Sequence, residues 1–259
     1  MLRPKRRIII SGLILITVLL VAGFMRQQYV VPIIMYHSVN PRVEDRLTVS
    51  AKTFERQMAF LKRNHYNVLS LQELVNLIEE KKKIPHHAIA ITLDDGYKDN
   101  YDYAFPILKK YNLPVAIFII INEVGWPNRL NWNEIKIMDE SGIITFGSHT
   151  LDHPYLPDVK SDEELKRQIF DSKKILEEKL GEKVNMFCYP VGGFNARVRQ
   201  LVIDAGYKAA VALKSAVRYP GGDVFSLRRI KISEKDNNLL LFWGKISGFY
   251  NIFRKAKYK

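Results

Sequence analysis

Residues 88–96 read Ala88-Ile89-Ala90-Ile91-Thr92-Leu93-Asp94-Asp95-Gly96. The run 88–93 has the length and composition of a strand. It stops at two adjacent acids and a glycine. At the C-terminal end of a strand in a parallel α/β sheet, such a pair would stand at the mouth of a barrel, where active sites form. By itself Asp-Asp-Gly is an ordinary turn, so its meaning rests on what surrounds it.

Seven further apolar segments of strand length surround this run, at 32–36, 67–69, 114–121, 143–147, 184–189, 208–213 and 225–232. They alternate with amphipathic segments of helix length at 51–64, 70–83, 98–111, 132–141, 161–180 and 195–205. The alternation predicts an α/β fold of parallel strands and crossover helices. Ser70 with Glu73, and Ser161 with Glu164, have the spacing of a capping box. Gly142, Gly181 and Gly206 stand where helices should stop. No Pro- or Gly-rich linker, repeat or low-complexity tract divides 32–232. An α/β barrel commonly takes about 250 residues, so one domain over 32–232 is the simplest reading.

Two other segments end as 88–96 does. The strand candidate 143–147 runs into Ser148-His149-Thr150-Leu151-Asp152-His153. Two histidines four apart can converge on one metal. Thr150 occupies the place of the Glu in the His-Glu-x-x-His motif of zinc proteases, so a general base must come from elsewhere, and the Asp pair can supply it. The strand candidate 32–36 runs into His37, which is either a solvated loop residue or a general acid with an intrinsic pKa near neutrality. His65, His86 and His87 read as solvated, and Asp152 as a turn residue. Trp132 and Tyr97 read as packing or capping residues before sugar platforms.

The two ends differ from the middle. Residues 1–7 carry four basic groups, and residues 8–25 form an 18-residue stretch without a charge. This predicts a single-pass transmembrane signal anchor over 8–25, with 1–7 cytoplasmic, a stalk over 26–31 and the domain outside. A cleaved signal peptide is the rival, but Leu20-Val21-Ala22 and Ala22-Gly23-Phe24 are poor cleavage sites. The net charge of +13 suits nucleic acid, an anionic membrane or an anionic polymer, and an extracytoplasmic domain argues against nucleic acid. Cys188 is the only cysteine. It excludes an intramolecular disulfide and reads as a small apolar strand residue. The tail 233–259 is basic and amphipathic, through Leu239, Leu240, Phe242, Trp243, Ile246, Phe249, Tyr250 and Phe253. It suits either a membrane surface or a terminal helix packed on the domain.

Residues 92–96 and 149–153, in this order and about 50 residues apart, resemble the first two motifs of the NodB-homology polysaccharide deacetylases, carbohydrate esterase family four. Those motifs are Thr-Phe-Asp-Asp-Gly, with Leu93 here for Phe, and His-Ser/Thr-x-x-His. The resemblance implies an irregular (β/α)7 barrel over 32–232. It implies Asp95, His149 and His153 as ligands of one divalent metal, zinc being usual, with Asp94 as catalytic base. Such a metal lowers the pKa of bound water towards about 7, and three protein ligands leave a position open for it. The family's third motif, Arg-x-Pro-Tyr, is altered to Cys188-Tyr189-Pro190-Val191, where the Val191 backbone N–H can still meet an oxyanion. The late Leu-x-His motif is replaced by Ser226-Leu227-Arg228-Arg229-Ile230. These departures resemble the poly-N-acetylglucosamine deacetylases, in which an early Tyr-His, here Tyr36-His37, stands in for the late His. By that resemblance His37 is the general acid and Arg229 pairs with Asp94. The expected activity is removal of N-acetyl groups from poly-N-acetylglucosamine, peptidoglycan or a chitin-like polymer. A catalytically inactive carbohydrate-binding protein and an O-acetyl esterase are the alternatives.

Overall fold

The computed structural model describes residues 4–43, 45–213 and 223–250. Its strands are β1 (Ile33–Tyr36), β2 (Ser38–Val39), β3 (Thr48–Val49), β4 (Asn67–Leu69), β5 (Ala88–Leu93), β6 (Val115–Ile119), β7 (Ile144–Ser148), β8 (Met186–Cys188), β9 (Ala209–Ala212) and β10 (Leu227–Lys231). Its helices are α1 (Pro4–Gln28), α2 (Ala51–Arg63), α3 (Leu71–Glu79), α4 (Phe105–Tyr111), α5 (Trp132–Asp139), α6 (Asp162–Lys166), α7 (Ser172–Leu180), α8 (Ala196–Asp204) and α9 (Leu239–Ile246). The eight strands expected from the sequence are all present. The two-residue β2–β3 pair was not expected, being too short to show a period.

Seven strands close in the order β1-β10-β9-β8-β7-β6-β5, with β5 returning to β1 from Ile33↔Ala90 to Tyr36↔Leu93. β4 adds beside the first half of β5. The pairings are parallel, so the chain has a (β/α)7-like barrel. Side chains alternate across each strand, and this divides the core. Ile34, Ile89, Ile91, Ile117, Phe146, Phe187 and Ile230 face the helices. Ala88, Ala90, Ala116, Phe118, Met186, Cys188, Ala209 and Val211 fill the interior. Four alanines there leave a narrow barrel room for larger groups at its upper end. Continuing the same alternation past the strand tops places His37, Asp94, His149, Cys188 and Arg229 on the inward side.

Several local expectations need correction. Segments 98–111 and 161–180 are not uniform helices. Wide π-type turns at Asn100–Ala104 and Arg167–Asp171 precede α4 and α7, and such turns often mark functional positions. β6 stops at Ile119, and 121–123 is a single tight turn. Ser70 and Ser161 each accept the N3 backbone N–H. At the second site Glu164 turns to Arg167 and Gln168, and full reciprocal boxes form at Asn131 with Glu134 and at Ser233 with Asp236.

Residues 8–25, expected from the sequence to be an anchor, are helical, within α1. Side chains are described for 11–21, 23 and 24 of it, and Leu13, Ile16, Leu19 and Leu20 among them are exposed. Among the described residues no helix is long and apolar enough to cross a membrane. In the tail, α9 buries Phe242 and Ile246 against the domain, the packed arrangement. Phe253 and the basic residues beyond it lie outside the described residues, as do 1–3 at the other end.

Candidate metal centre and active site

The site is built where the inward alternation meets two left-handed turns. Asp94 continues β5 inward and is 3% exposed. Arg229 reaches it from the neighbouring rim, itself 1% exposed. Arg229 Nη1 and Nη2 donate to Asp94 Oδ1 at 2.5 Å and Oδ2 at 2.6 Å. The guanidinium also donates to Thr92 Oγ1 at 3.1 Å and stands 5.6 Å from the Phe118 ring centre. Burial alone would raise the Asp94 pKa, but the charge and hydrogen bonds of Arg229 hold it well below the ordinary carboxylate range. A two-pronged planar partner of this kind fixes orientation as well as charge.

Asp95, the next residue, goes elsewhere. Its φ of +70° is followed by Gly96 at +63°, and this left-handed pair turns the second carboxyl towards the rim. Asp95 Oδ1 lies 3.5 Å from His149 Nε2 and 3.8 Å from His153 Nε2. It is buried and has no hydrogen-bond partner. Burial, then the adjacent Asp94 charge, push the Asp95 pKa up to about 7.

The two histidines are set by their neighbours. His149 Nδ1 donates to the Cys188 carbonyl at 2.8 Å, so the lone pair of Nε2 faces Asp95, the arrangement usual for a metal ligand. Burial lowers the His149 pKa to about 3 and also lowers that of His153, so both rings are neutral at pH 7. The loop between them has Thr150 at φ +72° and His153 at +58°. Gln168, on the π-type turn before α7, holds it by accepting from the Leu151 and Asp152 N–H groups at 3.1 and 3.0 Å. Asp152 accepts from Asn122, Arg167 and Gln168, which fits its reading as a turn residue.

These residues fit a divalent cation. Asp95, His149 and His153 each offer one ligand atom, all within 4.8 Å of one another. A buried carboxylate oxygen with no donor, facing two neutral imidazole nitrogens, is a set of lone pairs without a positive charge. Such a set suits zinc and similar ions.

The remaining candidates surround this centre. His37 caps β1, with its buried Nδ1 unpartnered. Its pKa is not near neutrality. Burial lowers it to about 4 against the opposing pull of Asp94, so the ring rests neutral. Val191 is 64% exposed on the loop after β8 and has φ +56°, a costly conformation for a β-branched residue. Tyr97 packs its ring under Arg129 at 4.0 Å, and Trp132 is half-buried against the core. His65, His86 and His87 are exposed.

Sequence reading missed two neighbours. Cys188 is more than a small strand residue, because its Sγ accepts from Arg229 Nη2 at 3.0 Å and lies 3.8 Å from His149 Nε2. Tyr155, two residues beyond His153, is 45% exposed. A Cβ at Gly193 would fall 2.0 Å from its ring, so a glycine lets the ring lie against the Val191 loop. A pattern of inward positions at the strand tops could have flagged Cys188. Nothing local could have flagged Tyr155.

Comparisons with known proteins agree with this geometry. A family model described as polysaccharide deacetylase matches residues 81–210. YxkH of Bacillus subtilis (strain 168), named for the same family, is 32% identical over 202 residues, 78% of this chain and 71% of its own length. The poly-beta-1,6-N-acetyl-D-glucosamine N-deacetylase of Staphylococcus aureus (strain MRSA252) is 29% identical over 199 residues, 72% of this chain and 68% of its own. Among solved structures, the Streptococcus pyogenes deacetylase PplD in complex with acetate superposes with a TM-score of 0.75 at 26% identity, covering 83% of this chain and 98% of that one. With both family motifs meeting on one barrel rim, this chain belongs to the polysaccharide deacetylases with a NodB-homology domain.

Proposed function

We propose that this deacetylase removes N-acetyl groups from a β-linked N-acetylglucosamine polymer outside the cytoplasm, a reading supported by its similarity to a poly-beta-1,6-N-acetyl-D-glucosamine N-deacetylase. One observation carries the reading: an ionised Asp94 clamped by Arg229 beside the lone-pair triad of Asp95, His149 and His153. Binding alone needs no such clamped base.

Asp95, His149 and His153 would hold the metal. A divalent ion there supplies an acidified water and a Lewis acid. Asp94, kept charged by Arg229, takes the proton as water adds to the acetamide carbon. The Val191 N–H donates to the oxygen as it gains charge. His37 starts neutral, so the proton it gives to the sugar nitrogen must first reach it. Asp94 holds a proton weakly, so it can give up the one it takes, and its restored charge favours a protonated His37 ring. The C–N bond then breaks and leaves acetate and a free amine. The exposed face of Tyr155 offers an apolar plane to a pyranose ring next to the reacting unit.

Residues 8–25 serve as a membrane anchor in this reading. The support is an uncharged 18-residue sequence after a basic end, which is helical within α1. The test is acetate release by the full chain in detergent, from β-1,6-linked N-acetylglucosamine oligomers, chitin oligomers and peptidoglycan, before and after chelation. Metal-dependent release, fastest from the β-1,6 oligomers, is expected. Release from O-acetyl esters alone, or none from any polymer, would overturn the proposal.

A further inference from the structure

Eighteen large apolar side chains are exposed among the described residues, nine on α1 and three on α9. These two elements carry twelve of the eighteen, and the segments that leave them meet. Directly after α1, the Val30 N–H donates to the Gly248 carbonyl at 2.9 Å. The Tyr29 ring contacts Phe249 edge-on, with centres 5.7 Å apart. Gly248 has φ +81°, and a Cβ there would fall 2.2 Å from the Tyr29 ring. The chain leaving α1 is therefore clasped to the segment leaving α9.

α9 has two faces. Phe242 and Ile246 pack inward, and Phe242 meets Phe60 of α2 with ring centres 6.0 Å apart. Leu240, Leu241 and Trp243 point outward at 71%, 57% and 50% exposure. An eight-residue helix is about 12 Å long, so the outward residues stay close to the end of α1. Past them the sequence 251–259 contains Arg254, Lys255, Lys257 and Lys259 and no acid. Exposed Leu and Trp next to a basic segment match an anionic lipid surface, where an apolar face sinks into the headgroup boundary and cations meet the phosphates.

We infer that the outward face of α9 lies in the interfacial layer of an anionic bilayer, beside the point where α1 leaves it. The inference rests on the reading of residues 8–25 as a membrane anchor. It also sets an orientation. α1 joins the barrel through Val31 and Pro32, before β1, whereas Asp95 and His153 sit past the opposite strand ends. The rim then opens away from the lipid, towards polymer.

The test uses the full chain in vesicles of phosphatidylcholine and phosphatidylglycerol, with and without bromine on the acyl chains. Trp243 is one of three tryptophans, so its share of emission can be isolated with Trp243→Phe. Brominated lipid should quench the parent, and the quenching should vanish in Trp243→Phe and in the Leu240→Asp/Leu241→Asp pair. A chain that floats with vesicles but is quenched equally in parent and Trp243→Phe, or not at all, overturns the docking and spares the anchor. A chain that does not float overturns both. Cross-linking into dimers that Leu240→Asp abolishes would assign the face to a second copy and overturn the inference as well.

Discussion

Asp94 and Asp95 leave one strand end a residue apart, yet their surroundings are opposite. Asp94 sinks onto Arg229 with both oxygens paired. Asp95 turns through a positive φ and keeps one buried oxygen without a donor. The first carboxyl has its counter-charge built in and holds its proton weakly. The second is pushed up to about 7 by burial and then by the Asp94 charge, and it has no donor of its own to offset them. One half of the site is thus complete in the chain, and the other is a socket.

The sharpest perturbation of the complete half, His37→Ala, should cut the rate at saturating substrate by about 10²–10⁴-fold and leave metal content unchanged. A smaller loss would remove His37 from the proton path. Arg229→Met should leave a buried carboxylate without its partner, a loss of about 3–5 kcal/mol in stability, measured by urea unfolding. The same change should move the acid limb of the rate profile to higher pH, because Arg229 is what holds Asp94 down. In the parent, this pair stabilises fully above the ordinary Asp value of 3.8 and less as pH falls below it. Stability unchanged in Arg229→Met would break the idea of a built-in counter-charge.

The socket half makes a pH prediction. Metal must displace the proton on Asp95, while burial already favours the neutral form of both histidines. Affinity should be flat above about pH 7 and fall about tenfold per unit below it, with proton release on binding. Calorimetry at several pH values in buffers of different ionisation enthalpy reads both. Affinity independent of pH between 5 and 8 would contradict the assignment. Outside both halves, Tyr155→Ala should raise KM by about 2–10-fold through a lost aromatic contact, with Tyr155→Phe retaining it.

Much of this was legible in the sequence, for identifiable reasons. The barrel strands are short apolar runs, each closed by a turn, so period and punctuation gave all eight. Asp94, Asp95, His149 and His153 carry spacings that survive without structure. The π-type turns escaped because 98–111 and 161–180 keep a helical pattern through them. Cys188 escaped because its inward place shows only when its strand top is set beside the others, not from its own short run. The lowered pKa of His37 escaped because burial at a strand top is a property of the assembled rim. Gln168 is 15 residues from His153 in the chain, so its hold on the ligand loop could not be read locally.

The most direct measurement pairs Asp94→Asn with Asp95→Asn and reads bound zinc and released acetate from the same samples. A complete half beside a socket predicts that Asp94→Asn keeps its metal and releases no acetate, whereas Asp95→Asn loses both. Acetate release by Asp94→Asn at the parent's rate, or parent-like zinc content in Asp95→Asn, would contradict it.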